Sequence, residues 1–391
     1  MGKKVVILGS TGSIGESALK VARDVGPETM EVVGLAAGTR ANSLCHQAKE
    51  FGVREVCIFD EGKKTEVSKA LPTARVATGL EGLIDLATLP EADMVLISIV
   101  GTAGLKPALA AIEAGKDLAV ASKEILVMAG EIVMAAAARK GVKVLPVDSE
   151  HNAIFQCLEG DCHQPEAVRR LILTASGGPF RTWEKERLSE VTLKQALKHP
   201  TWEMGRKITI DSSTLFNKGL EMIEARWLFG VGMEKVEVIV HPQSIVHSMV
   251  EFCDGSVLAQ LSTTDMCFPI QYAVTYPKRC ANKLEPLDFA KLAKLDFEAP
   301  REDAFPAVRL AREAGLAGGA LPAILNAANE VAVDAFIEGS LAFTGIAEVV
   351  EETMTRLSSL PGATLDELLD ADAQARRVAA AQLPEGSLLG S

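Results

Sequence analysis

The stretch "VVILGSTGSIGESALKVAR", residues 5–23, decides the fold. Four apolar residues run into Gly9, and Gly12 and Gly15 follow at three-residue steps. Apolar residues then recur at helical spacing. The pattern reads as a buried strand, a tight glycine turn and an amphipathic helix. G-x-x-G-x-x-G is looser than the strict G-x-G-x-x-G, so the turn alone is also compatible with a glycine loop that holds nothing. A strand before it, a helix after it and a further strand beyond are the context that a dinucleotide site requires. There, glycines let the backbone approach a pyrophosphate, and the helix N-terminus offers free N–H groups. Gly9, Thr11, Gly12, Ser13 and Ile14 are the candidate contacts.

Outward from this turn, short apolar runs alternate with helical patterns. Strands are expected at residues 4–8, 32–36, 55–59, 94–99, 118–121 and 142–147, and helices at 15–25, 105–114 and 124–140. This rhythm predicts an α/β chain opening on a doubly wound, Rossmann-like parallel sheet. The second strand continues as "VVGLAAGTRANS", residues 32–43. An NAD site usually places a carboxylate here for the ribose hydroxyl. This chain offers Gly38, Arg40 and Asn42 instead, and a guanidinium suits a 2′-phosphate, so NADPH is the expected cofactor. The plainer reading of Arg40 is a solvated surface charge. Four regions follow: residues 1–150 for the nucleotide, an α/β catalytic domain over 151–275, a Pro- and Lys-bearing linker over 276–301, and a C-terminal helical domain over 302–391.

The 391 residues carry a net charge of −12, which argues against nucleic acid or a membrane surface as partner. An anionic small substrate needs only a local basic pocket. The seven cysteines are odd in number and scattered, which points to reduced thiols. "CLEGDCH", residues 157–163, matches no defensible zinc spacing. The N-terminal apolar run is too short for a secretory signal, and none reaches the length of a membrane span, so a cytoplasmic protein is expected.

Several stretches hold more polar residues than packing needs. "VLPVDSEHNA", residues 144–153, ends a greasy run in two carboxylates. If the strand geometry continues, Asp148 and Glu150 share one side and Ser149 takes the other. Two such carboxylates repel unless a cation or a proton lies between them. The plain alternative is a polar loop with Asp148 or Ser149 capping the next helix. "TASGGPF" places Ser176 at a strand end before two glycines, a turn suited to an anion. "HPTWEMGRKITIDSSTLFNKGLEMIEARW", residues 199–227, holds His199, Trp202, Met204, Ser212, Asn217, Lys218 and Glu221. With Ser212 or Ser213 as a helix cap, Asn217, Lys218 and Glu221 fall on one face. "SKE" places Ser122, Lys123 and Glu124 at another strand end, where open α/β sheets bind ligands.

Together with "HPQSIVHSMVEF" and "NAANEVAV", these stretches resemble the 1-deoxy-D-xylulose 5-phosphate reductoisomerase family over nearly the whole chain. The resemblance implies NADPH and a divalent cation (Mg²⁺, Mn²⁺ or Co²⁺) held by Asp148, Glu150 and Glu221. It implies a small phosphorylated sugar whose phosphate meets Ser176, Ser212, Asn217 and Lys218. Lys123, Ser149 and His199 then face its hydroxyls and carbonyl, and Trp202 and Met204 lie in a closing flap. Lys123, Asp148, Glu150, His199 and Glu221 become the catalytic set, and Ser122 and Glu124 line the cofactor. The family often has Asn where this chain has Ser122. The implied reaction is a rearrangement and reduction to 2-C-methyl-D-erythritol 4-phosphate in non-mevalonate isoprenoid synthesis, by a homodimer. A metal-independent NADP dehydrogenase is the enzyme rival, but its nucleophilic cysteine is poorly served by Cys57 in a core strand. A non-catalytic nucleotide sensor is the rival of another class, and it needs no trio of carboxylates.

Overall fold

The structure, a computed structural model, describes residues 2–158, 166–202 and 204–384. The chain forms two compact units. The first comprises Met1–Ile125, Glu131–Asn152 and Asp265–Pro286; the second comprises Leu126–Gly130, Ala153–Thr264 and Leu287–Ser391.

In the first unit seven strands make one parallel sheet: β1 Lys3–Leu8, β2 Met30–Ala37, β3 Glu55–Ile58, β4 Arg75–Thr78, β5 Met94–Ile97, β6 Asp117–Val120 and β7 Val144–Pro146. Their order is β4-β3-β2-β1-β5-β6-β7. The chain winds outward from β1 to β4, returns to β5 beside β1, and winds the other way. Val5–Leu8 and Met94–Ile97 are wholly buried, so both sheet faces need helical cover. That cover comes from α1 Ser13–Val25, α2 Ala41–Phe51, α3 Lys64–Ala70, α4 Gly79–Ala87, α5 Leu105–Glu113 and α6 Lys123–Lys140. Helix α11, Cys267–Thr275, returns to this unit and packs on α1. Six strands match the expected runs. β4 does not, because "RVAT" is a short edge strand with no fully buried residue and no apolar run to betray it. Helix α1 also starts two residues early, at Ser13, which puts Gly15 inside its first turn.

The second unit holds a four-stranded sheet of β8 Val168–Ala175, β9 Val236–Val240, β10 Val246–Phe252 and β11 Val257–Leu261, in the order β11-β10-β8-β9. β8 and β9 run parallel, while β10 is antiparallel to both β8 and β11. Helix α7, Ser149–Cys157, enters this unit at Ala153. Then follow the short α8 Leu193–Ala196, α9 Arg206–Thr214, α10 Phe216–Phe229, the short α12 Phe289–Leu292, α13 Ala307–Ala317, α14 Leu321–Glu338, α15 Gly345–Arg356 and α16 Leu365–Ala380. Helix α14 is buried nearly all round and is rich in alanine, which lets α13, α15 and α16 close on it. Helix α6 is interrupted at Ala129 (φ −136°, ψ 32°), and a Cβ on Gly130 would lie 2.2 Å from the Trp227 ring. Only glycine fits there. Cys162 and His163 of the cysteine-bearing stretch lie outside the described residues.

Candidate functional site

The glycine turn leaves β1 at the point where strand order reverses, beside the end of β5. Two of its three glycines serve the chain itself. Gly9 has φ +95°, and a Cβ there would meet the Ser98 carbonyl at 2.7 Å. A Cβ on Gly15 would meet the Gly9 carbonyl at 2.3 Å. Gly12 is different: its Cβ would find nothing nearer than 3.4 Å, so no internal contact requires glycine there. A backbone left open at a helix N-terminus is what an approaching phosphate needs, and the turn therefore fits a dinucleotide. Thr11 is buried, while Ser13 is exposed. Arg40 donates to the Thr11 carbonyl at 2.6 Å, which brings a guanidinium from the end of β2 onto the turn. Gly38 and Asn42 flank it on the surface. Gln47, to which the sequence reading gave no role, pins the turn from α2. It is buried, accepts from Ser10 Oγ at 2.7 Å, and donates to Ser10 O and Glu16.

The same unit gathers Ser122, Lys123, Glu124, Asp148, Ser149 and Glu150. The expected strand-like alternation at 148–150 is not what forms. β7 ends at Pro146 and α7 begins at Ser149, so Asp148 sits at the N-cap position and accepts from the Glu150 N–H at 3.3 Å. The capping alternative was the right geometry, and it still keeps the two carboxylates within one turn. Lys123 begins α6 just beyond β6 and donates to Asp148 at 2.9 Å, both side chains being buried or nearly so. Burial works against the charge on Asp148, but the Lys123 ammonium outweighs it, with help from His151, and holds the carboxyl well below its ordinary range. Ser149 donates to Glu150 at 2.5 Å. Ser122 spends its hydroxyl on the Ile99 carbonyl, and Glu124 is buried.

The second unit gathers the other candidates. His199 is the centre: its Nε2 lies 3.0 Å from both Ser176 Oγ and Ser212 Oγ. Its Nδ1 accepts from the Thr201 and Trp202 N–H groups at 3.2 and 2.9 Å. The ring proton of the neutral form therefore sits on Nε2, between the two serines. Burial lowers the His199 pKa to about 4. Ser212 and Ser213 lie inside α9 and do not cap α10; Leu215, in the left-handed region at φ 65°, separates the two helices. The face expected on α10 does form. Asn217 donates to Glu221 at 2.5 Å, and Lys218 donates to the other Glu221 oxygen. Lys218 and Glu221 are both buried, a charge pair that burial alone would not favour. Trp202 stands with its ring 6.2 Å from that of His247, and Met204 is half-buried. His247 is a further residue without an assigned role in the sequence reading: it is buried, bonded to Ser262 at 2.9 Å, and burial lowers its pKa to about 4. The apolar β10 pattern around it gave no signal. Cys57 is buried, and burial pushes its thiol up to about 12, unsuited to a nucleophile.

Family models match three consecutive stretches: "1-deoxy-D-xylulose 5-phosphate reductoisomerase" at residues 5–130, its C-terminal domain at 144–229, and "DXP reductoisomerase C-terminal domain" at 261–378. A 1-deoxy-D-xylulose 5-phosphate reductoisomerase of Symbiobacterium thermophilum is 54% identical over 98% of this chain and 99% of its own length. That of Chloroherpeton thalassium is 50% identical over 96% and 97%. Among solved structures, the Zymomonas mobilis reductoisomerase in complex with NADPH is 43% identical, covers 97% of this chain and 99% of that one, and superposes with a TM-score of 0.91. A reductoisomerase in complex with NADPH, fosmidomycin and magnesium is 39% identical at the same TM-score, covering 97% and 98%. With family models matched over residues 5–130, 144–229 and 261–378 and a relative 54% identical over 98% of the chain, the protein belongs to the 1-deoxy-D-xylulose 5-phosphate reductoisomerase family.

Proposed function

We propose that this chain is an NADPH- and divalent-metal-dependent oxidoreductase that rearranges and reduces 1-deoxy-D-xylulose 5-phosphate to 2-C-methyl-D-erythritol 4-phosphate, a step of non-mevalonate isoprenoid precursor synthesis. The observation that carries it is full-length identity at 54% to a reductoisomerase.

The residue assignments belong to the same proposal. Asp148, Glu150 and Glu221 are an all-oxygen donor set, the chemistry that Mg²⁺ or Mn²⁺ selects. Lewis-acid stabilisation of developing oxyanion charge and the reducing hydride are what the cation and NADPH supply when bound. The chain's own groups do the rest. Ser176, Ser212, Asn217 and Lys218 hold the phosphate, with the His199 Nε2–H presented between the two serines. Lys123 and Ser149 orient the hydroxyls and the carbonyl. Trp202 and Met204 close over the substrate and exclude water, which strengthens each charge interaction inside. Gly9, Thr11, Gly12, Ser13 and Ile14 cradle the pyrophosphate, and Arg40, with Gly38 and Asn42, takes the 2′-phosphate. Ser122 and Glu124 lie toward the nicotinamide.

A homodimer is part of the reading, supported by exposed Val257 and Leu258 on the edge strand β11. So is a reducing, cytoplasmic compartment, which suits the free thiols Cys45, Cys57, Cys157, Cys253, Cys267 and Cys280. The test is NADPH oxidation on 1-deoxy-D-xylulose 5-phosphate with Mg²⁺, after chelation, and after Mg²⁺ is restored. Activity that vanishes and returns is expected. No oxidation with metal present, or full turnover without it, overturns the proposal.

A further inference from the structure

The "NAANEVAV" stretch has no part in the functions assigned so far, yet it places a buried amide against the phosphate-site helix. Asn329 on α14 is fully buried and donates from Nδ2 to Asp211 Oδ1 at 2.8 Å. Asp211 is itself buried on α9, and its second oxygen accepts from Lys207 at 2.7 Å. Ser212, the serine bonded to His199, is the next residue. On its other side, the last turn of α9 lies hard against the Ser176–Gly178 turn: a Cβ on Gly178 would come 2.9 Å from Ser213 Cα. Helix α14 is anchored in turn, because Glu330 accepts from Arg376 of α16 at 2.6 Å.

We infer that Asn329 is a positioning residue for the phosphate site, acting through Asp211 to fix the roll of α9. A helix held only by apolar packing can turn about its axis at little expense, whereas a directional bond to a buried carboxylate cannot be stretched freely. A side-chain atom stands about 5–6 Å from the helix axis. A roll of roughly 10° therefore displaces Ser212 Oγ by about 1 Å, a misplacement able to lower rates by orders of magnitude. The polarity of the pair supports the role: the Asn329 amide must turn its N–H₂ toward Asp211, since its carbonyl would face a carboxylate.

The inference rests on the reading of Ser212 as a phosphate ligand, and the test separates the two. Steady-state constants of the intact enzyme are measured with the phosphorylated substrate, its dephosphorylated analogue and NADPH. Asn329→Asp keeps the shape, removes the donor and sets two carboxylates face to face. It is expected to raise KM for the phosphorylated substrate about tenfold or more, to matter far less for the analogue, and to leave the NADPH constant nearly unchanged. Adding Asp211→Asn restores the bond with donor and acceptor exchanged and recovers most of the loss. A merely structural role lowers Tm and turnover alike on both substrates and shows no such pattern, which overturns the inference. Should Asn329→Asp not fold, Asn329→Leu, of similar size and without donor or charge, carries the same expectation. Ser212→Ala is the control. If it spares the phosphorylated substrate, the phosphate-site reading falls; if it does not but Asn329 variants match wild type, only the positioning role falls.

Discussion

At the scale of single residues, the buried histidines set a pH dependence. Burial takes His199 and His247 from the ordinary 6.5 to about 4. Between those values the unfolded chain binds protons that the folded chain refuses, so stability falls as pH drops through that window and is insensitive to these groups above it. Asp148, held well below its ordinary value of 3.8, keeps its contribution until the medium is more acid still. The urea midpoint should therefore be lower at pH 5 than at pH 7, and His247→Asn should narrow that gap. An unchanged gap in the variant assigns the slope to other groups. Arg40 gives a second expectation: Arg40→Ala weakens NADPH roughly tenfold while NADH changes little, and equal loss on both removes it from the 2′-phosphate. Arg40 draws notice in the sequence because a cation stands where an NAD site usually places a carboxylate. Gln47 and Asn329 were not, because a buried amide on a helix leaves the same mark in a sequence as an exposed one.

At the scale of elements, the glycine turn separates what the chain needs from what a ligand needs. Gly15→Ala forces a Cβ to within 2.3 Å of the Gly9 carbonyl and should lower stability by about 1–3 kcal/mol. Gly12→Ala meets nothing nearer than 3.4 Å, so its melting temperature should stay close to wild type while NADPH affinity drops. Calorimetric unfolding and a fluorescence titration check the pair. If both variants lose stability equally, the distinction drawn from the geometry fails. Helix α10 makes a similar division between neighbours. Glu221→Gln should remove most activity and raise the Mg²⁺ requirement with NADPH binding intact, whereas Lys218→Ala should act on the phosphorylated substrate and much less on its dephosphorylated analogue. Their bond to each other couples the two, so the double variant should fall short of the summed effects. The face was legible from three- and four-residue spacing. The break at Leu215 was not: a left-handed leucine is unusual, and serines ahead of a helical run look like a cap whether or not the chain uses them so.

At the scale of the whole molecule, the doubly wound parallel sheet followed from the alternation of apolar runs, and what the sequence concealed lies at the edges. Strands β4 (RVAT) and β11 (VLAQL) are only four and five residues long and sit at the ends of their sheets. For β4 the edge is polar and explains itself. For β11 it does not: Val257 and Leu258 are each 49% exposed, and Ala259 beside them is exposed as well. Successive strand residues point to opposite faces, so both faces of this strand stand open along with its unpaired backbone edge. Such an edge in a monomer invites uncontrolled pairing, and chains usually blunt it with charge or proline or cover it. No proline or charged residue occupies Val257–Leu261, so cover by a second copy is the expected solution, in keeping with the proposed homodimer. Light scattering coupled to gel filtration should then give twice the chain mass for the wild type. Val257→Lys with Leu258→Lys should give the single-chain mass, since like charges brought together across a two-fold axis repel and the apolar contact is lost. Far-ultraviolet circular dichroism of that variant should remain that of the folded chain. A wild type that runs as a monomer at micromolar concentration removes the dimer from the reading. A lysine variant that still runs as a dimer moves the interface away from β11 and leaves the exposed edge to be explained by another partner.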